Sequence, residues 1–331
     1  MVEVRERPAK FREQLLRPGV LQVDFETARD FAEALHPLSG MWSTPFQDWI
    51  FRGHANADYE LLPTAHRREG WVALTTPLAK TFDPARADDM ERAKRERGLL
   101  REFFRSADEA GLALPEFKRA ADLLSESARP EPNPTGRPRY WPDSDLIPIL
   151  ALAQHHGVPT RLLDWTRRGR NAAYFAALPT SPSATSLAVW ALHSGLLREH
   201  GRMFPGVAAC QLATAPRASN PNLHAQAGLF TYCQWYEDPK LAPLDEVVCT
   251  GLEVLQQLAG AQDDPPIVLK KLTLPRSAAP DLMRLLHIDG VSGLTMFPGF
   301  GGVARHVQEL AWCGASTLGT PRDDKKGDGN A

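Results

Sequence analysis

The sequence predicts an α+β protein, in which strands and helices mix without a regular βαβ rhythm. Three observations carry that expectation. Short runs rich in β-branched and aromatic residues recur at 47–53, 186–193, 228–233 and 266–274, and read as strands. Stretches with helical spacing of apolar residues lie between them, the longest at 85–108. Finally, 28 prolines interrupt the chain too often for a long helical bundle.

Taken in order, residues 11–39 mix apolar and charged positions at helical spacing as far as Pro37, and read as a helical lead-in. A short strand follows at 47–53, where Trp49, Ile50 and Phe51 favour a pleated surface and Gly53 ends the run. Residues 85–108 form a charged amphipathic helix with Leu99, Leu100, Phe103 and Phe104 on one side, and 115–127 form a second helix. The Pro-rich stretch 129–143 is a loop. Asp145 is placed to cap a helix running to about His156, which Gly157 and Pro159 terminate. Residues 160–165 leave that stop in an extended path, 169–178 return to helix, and 279–288 and about 301–311 are later helices. The tail from Pro321 has no apolar anchor and is expected to be disordered.

The composition sets bounds on function. With 331 residues, of which 43% are hydrophobic, the chain can bury a large core as one large domain or two ordinary ones. A net charge of -2 argues against a polycation that coats nucleic acid, so any such contact needs a local basic face. The four cysteines lie far apart without a CxxC pair and read as buried free thiols. The first residues hold no apolar signal core, and no run approaches the roughly 20 apolar residues of a membrane span, so the expectation is a soluble cytoplasmic protein without membrane partners.

Candidate chemistry sits in three clusters. In Phe51-Arg52-Gly53, a guanidinium able to bind phosphate or carboxylate stands beside a residue that lets a ligand approach the backbone. Arg52 in a salt bridge at a strand end is the plain alternative. The segment Gln154 to Thr166 crowds Gln, two His, Thr, Arg, Asp, Trp and Thr around a Gly-Val-Pro turn. Within it Arg161 and Asp164 pair with each other or Arg161 faces a ligand, and Thr160 and Thr166 suit sugar hydroxyls. In the third cluster, Asn222 to Phe230, Gln226 enters an apolar strand where it needs polar partners. His155 and His156 point in different directions on a helix, and no zinc-type motif accompanies them, so no metal is assigned. GxSxG, GxxxxGK[ST] and a strand-placed GxGxxG are all lacking. A basic rim can be drawn from Arg167, Arg168 and Arg170 together with Arg92, Lys94, Arg95, Arg97, Arg101 and Arg105, although acidic residues interleave.

In this order and spacing the clusters resemble the FRG domain, a family named for its Phe-Arg-Gly motif. The matching segments are Phe51-Arg52-Gly53, Leu152 to Thr166, Asn171 to Ala176, Ala225 to Phe230 and the late Met296 to Ala304. Thr160 to Thr166 is the most specific of them. The resemblance implies a split β-sheet like that of ADP-ribosyltransferases, with peripheral helices. It places a lead-in at 1–44, a domain at 45–312 with a helical and Pro-rich insertion at about 80–145, and a tail at 313–331. It also implies NAD as a substrate, transfer of ADP-ribose to RNA or another macromolecule in a toxin or phage-defence effector, and an antitoxin or chaperone partner. By that analogy Arg52, Thr160 and Gln226 are catalytic, and Arg52, Gly53, His54, Thr160, Arg161, Asp164, Tyr174 and Phe230 bind NAD. Many such transferases carry a glutamate where this chain has Gln226. That departure keeps open a non-catalytic nucleotide-binding or interaction module, and NAD cleavage without transfer.

Overall fold

The computed structural model describes residues 11–42, 45–67, 89–125, 141–181, 183–203, 210–215, 221–233, 242–259 and 266–314. Its first elements correct the helical reading of the lead-in. Phe11–Arg17 (β1) and Val20–Phe25 (β2) pair antiparallel around Gly19, whose φ of 76° suits a residue without a Cβ. The reason lies in the alternation within β2. Leu21, Val23 and Phe25 pack to one side of the sheet and Val20 to the other, a period of two that the interleaved charges of the longer window obscure. Helix is confined to Ala28–Ala34 (α1), whose first turn is capped by the Thr27 hydroxyl accepting from the Asp30 amide.

The remaining strands are Trp49–His54 (β3), Leu163–Thr166 (β4), Ser186–His193 (β5), Cys210–Ala213 (β6), Gly228–Cys233 (β7) and Leu269–Pro275 (β8). They form one eight-stranded sheet in the order β1-β2-β8-β5-β3-β4-β7-β6. Neighbours run antiparallel except the β2–β8 pair. The expected mixing of strands and helices is therefore present, and the sheet is largely antiparallel. One seam is weak: β3 and β4 are in register only where Phe51 meets Thr166, whereas β3 pairs with β5 along its whole length.

The helices are Asp89–Glu109 (α2), Phe117–Leu124 (α3), Ile147–His155 (α4), Gly169–Ala177 (α5), Ser194–Met203 (α6), Pro221–Ala225 (α7), Leu244–Ala259 (α8), Ala279–Ile288 (α9), Gly293–Met296 (α10) and Phe300–Cys313 (α11). Strand alternation sorts the core into two faces. Trp49, Phe51, Val189 and Ala191 pack with α1, α5 and α9, while Ile50, Trp190, Leu192 and Trp165 pack with Leu197 of α6 and Leu244, Val248 and Leu252 of α8. A third cluster belongs to α2, α3 and α4, where Leu100, Phe104, Ala120 and Ile149 meet Phe230 and Tyr232 of β7. The charged helix expected at 85–108 thus folds down onto the sheet.

The cap expected at Asp145 falls two residues earlier. Asp143 accepts from the Asp145 amide, a 3-10 turn follows at Ser144–Leu146, and α4 starts at Ile147. Gly157 takes a φ of 86° immediately after α4, the left-handed exit anticipated from its sequence. Of the Pro-rich loop, 129–140 lie outside the described residues, as does the tail beyond 314. Cys210, Cys249 and Cys313 are buried, Cys233 is half-buried, and all four are free thiols. Among the described residues no helix is long and apolar enough to cross a membrane.

Candidate functional site

A cavity of about 600 Å³ opens over the β3–β4 seam, within the range of small-molecule sites. Its floor is Phe51, Arg52, Gly53, Asp164, Trp165 and Thr166. One wall is Gln154 and His155 of α4, a second is Ala172 and Phe175 of α5 with Phe297 and Arg305, and a third is Asn222, Leu223, Gln226 and Phe230. Segments distant in sequence therefore converge on the end of the Phe-Arg-Gly strand.

Arg52 lies in the gap between strands. Its Nη1 donates to the Asp164 carbonyl at 2.8 Å and stands 3.6 Å from the Asp164 carboxylate, and its Nε donates to His54 Nε2 at 3.0 Å. That last bond fixes the imidazole. Nε2 must present a lone pair, so the proton sits on Nδ1, which donates to the Tyr59 carbonyl at 3.2 Å. Burial, reinforced by Arg52 and Arg67, holds His54 well below its ordinary value, so the ring is neutral. Burial also pushes Arg52 down from its usual value, with Asp164 opposing, and the guanidinium stays charged. His54 is buried beneath Arg52 and does not line the cavity, so it positions the arginine rather than touching a ligand.

Asp164 is held from the other side. Gln154 Nε2 donates to its Oδ1 at 2.6 Å, and Gln154 Oε1 accepts from the Thr160 hydroxyl. Thr160 is buried and its Oγ1 also accepts from the Leu162 amide at 3.2 Å. A hydrogen-bonded chain therefore runs Thr160–Gln154–Asp164–Arg52–His54. Thr160 orients the Gln154 amide and does not contact the cavity, contrary to the expectation that it meets a ribose. The Asp164 side chain is 62% exposed, which leaves carboxylate surface for a ligand.

Arg161 is placed elsewhere altogether. It is 1% exposed, and its Nε and Nη2 donate to the two oxygens of Glu96 on α2 at 2.7 and 3.0 Å. Trp141 Nε1 donates to the same carboxylate at 2.8 Å, and His66 Nε2 lies 3.3 Å from it. Burial alone would raise the Glu96 pKa, but Arg161 and His66 prevail and bring it to about 2. The pairing of Arg161 with Asp164, or with a ligand, gives way to a buried bidentate knot.

Tyr174 is also consumed by the core. It is fully buried on α5 and its hydroxyl donates to Glu309 Oε1. Burial and that bond raise its pKa far above the usual tyrosine value. Besides Phe51 and Trp165 of the floor, the aromatic residues lining the cavity are Phe175, Phe230 and Phe297, with the Arg305 guanidinium 4.3 Å from the Phe297 ring centre. Sequence reasoning missed Arg305 and Phe175 as cavity residues. Arg305 is the one basic residue early in a Gly-rich apolar helix start, which is a faint signal. Phe175 needed the helix phase of α5, in which Tyr174 points inward.

Gly53 lines the cavity, but a Cβ there would stand 2.0 Å from the Ala172 carbonyl and 2.7 Å from the Ala176 amide. Its glycine serves close contact of β3 with α5, rather than ligand access to the backbone. Gln226 is in the cavity wall, with Nε2 donating to the Met296 carbonyl at 3.2 Å. Its own carbonyl accepts from the Thr166 hydroxyl at 2.7 Å and from Asn171 Nδ2 at 3.2 Å, which bolts the α7–β7 turn to the central segment. Ala227 follows with a positive φ of 51°, a conformation strained for a residue with a Cβ.

The expected basic rim is partly spent. Arg105 pairs with Glu102 and Glu109, Arg97 donates to the Leu123 carbonyl, and Arg92 is buried. Arg167 and Arg168 are exposed but line a separate cleft of about 450 Å³, where Arg170 pairs with Asp289 at 3.1 Å.

Fold and site together describe an α+β protein with a nucleotide-sized, arginine- and phenylalanine-lined cavity at a sheet seam. Residues 47–184 match the FRG domain. The match contains Arg52, Gln154, Asp164 and Phe175 and ends before Gln226, Phe230, Phe297 and Arg305, so the far wall of the cavity lies outside it. Neither a curated protein nor a solved structure matches the chain.

Proposed function

We propose that the cavity binds NAD and transfers its ADP-ribosyl group to a macromolecule, with RNA as the leading acceptor class. The observation that supports this best is the convergence on one cavity of two guanidiniums, the walls' Phe175, Phe230 and Phe297, and an exposed carboxylate. Arg52 and Arg305 suit the pyrophosphate, a phenylalanine face suits nicotinamide, and Gln226, Gln154 and Asn222 suit ribose hydroxyls. The interrupted seam between β3 and β4 is compatible with the split sheet of ADP-ribosyltransferases.

Transfer breaks the bond between ribose C1 and the nicotinamide nitrogen. The electron pair leaves with nicotinamide, positive charge develops on the ribose, and a nucleophile of the acceptor bonds to C1 and loses its proton. No glutamate stands at Gln226, but Asp164 offers a carboxylate across the cavity floor. In this reading it stabilises the cationic ribose electrostatically, while Arg52 holds NAD in a reactive pose.

Incubating the protein with NAD labelled in its adenosine half and cellular RNA or protein tests the proposal. Label should move to a macromolecule, and Arg52→Ala should reduce transfer by about 10²-fold or more while the fold is kept. Nicotinamide release without labelled product supports an NAD glycohydrolase, and tight NAD binding without turnover supports a binding module. If the protein acts as a toxin or defence effector, its expression slows growth and Arg52→Ala relieves the inhibition. A folded Arg52→Ala variant that remains toxic removes Arg52 from the mechanism.

A further inference from the structure

We propose that His287, His306 and Glu309 form a binding site for a divalent ion of the zinc type. His287 ends α9, His306 and Glu309 are three positions apart on α11, and one ligand atom from each lies within 4.8 Å of the other two. His287 Nε2 is 3.1 Å and His306 Nδ1 is 3.9 Å from the same oxygen, Glu309 Oε2. Two ligands on a tetrahedral zinc ion, each about 2.0–2.1 Å from the metal, stand roughly 3.3 Å apart, so modest side-chain adjustment seats an ion. Two imidazoles and one carboxylate are a donor set for zinc and its neighbours rather than for calcium or magnesium.

Hydrogen bonding alone does not complete this cluster. The Nδ1 atoms of both His287 and His306 are buried without a hydrogen-bond partner. The carboxylate, by contrast, is already oriented by outer groups. Glu309 Oε1 accepts from the Tyr174 hydroxyl, and Oε2 accepts from the Gly293 amide at 3.0 Å. Ligands of metal centres are commonly held in this way. The His306 side chain is 23% exposed, which gives an ion an entry path and lets water fill the fourth position.

An ion here ties α9 to α11 and, through Glu309, to α10 and α5. Phe297 directly follows α10 and Arg305 directly precedes His306, and both face the main cavity. The site is thus a structural brace behind that wall, independent of what the cavity binds. The sequence carries no compact metal motif because the third ligand comes from another helix.

Full-length protein stripped with a chelator and titrated with Zn²⁺ against a chromophoric indicator provides the test. The expected result is one ion per chain, a rise in Tm on loading, and at least tenfold weaker binding in His306→Ala and His287→Gln. His306→Ala should fold without metal, since its buried Nδ1 has no hydrogen bond to lose. His156→Ala should bind as the parent does, because the exposed His155–His156 pair is outside the site. The proposal is overturned if no ion binds stoichiometrically, if both site variants bind as tightly as the parent, or if His156→Ala abolishes binding. Should either site variant fail to fold, Co²⁺ loaded into the parent decides by its absorption, with a water-like octahedral spectrum counting against the site.

Discussion

Two arginine–carboxylate pairs lie within one short stretch of this fold, and they have opposite fates. Arg161 and Glu96 are each about 1% exposed and bond through two hydrogen bonds, with Trp141 and His66 closing the remaining sides. Arg52 and Asp164 stand 3.6 Å apart at an interrupted seam, and the carboxylate is 62% exposed. The first pair fastens α2 to the central segment and has no capacity left for a ligand. The second is held in place by His54 and Gln154 but keeps a face toward a cavity. Completeness of hydrogen bonding, rather than residue type, separates a brace from a site.

The largest effect should come from breaking the brace. Glu96→Ala leaves the Arg161 guanidinium buried without its partner, and removal of one member of a buried pair costs about 3–5 kcal/mol. Denaturant unfolding should show a loss of that order. A cost below about 1 kcal/mol would mean that water reaches Arg161 and that the contrast with the seam is false.

The two regions should also separate in acid. His54 has a depressed folded pKa, so its contribution is fully present above the unfolded value of about 6.5 and declines as pH falls below it. Glu96 is likewise depressed, from 4.5 to about 2, so the brace is intact above pH 4.5 and weakens from there toward pH 2. Protonating His54 removes the lone pair that accepts from Arg52 Nε. Stability measured by denaturant unfolding should therefore fall in two steps, the first beginning below about pH 6.5 and reporting His54 at the seam, the second beginning below pH 4.5 and reporting the brace. A single decline that begins only near pH 4.5 would show that His54 is not held neutral by the fold.

Sequence reasoning read β3, β5, β7 and β8 well, because runs such as Trp49-Ile50-Phe51 and 186–193 are strongly apolar and β-branched or aromatic, but it missed the four-residue β6 at Cys210–Ala213. It misread 11–25, where charges between apolar positions imitate a helix and the deciding factor, pairing of β2 with the distant β8, is tertiary. At the site, Arg52, Asp164, Gln226 and Phe230 were legible as members of unusual polar or aromatic clusters, and the cavity gathers all four. Arg161 and Tyr174 looked equally suitable, and nothing local reveals that Glu96 and Glu309, far along the chain, claim them. Thr160 and His54 were found as polar residues of the motifs, but their place one layer behind the cavity depends on side-chain direction, which spacing alone does not give.

The smallest change in stability, and the sharpest test of the seam, is Asp164→Asn. The carboxylate is largely exposed, and pairs of that kind contribute roughly 0–1 kcal/mol, so Tm should barely move. The Asp164 carbonyl that accepts from Arg52 belongs to the backbone and survives the substitution. Gln154 can still donate to the oxygen of the introduced side-chain amide, so the orienting chain is kept. Only the negative charge is lost. If Asp164 stabilises a cationic ribose, kcat for transfer should fall about 10²-fold with KM for NAD little changed, since the charge matters most in the transition state. If Asp164 merely latches Arg52, KM should rise while kcat holds, and the seam would then be a binding device like the brace, differing only in its exposure.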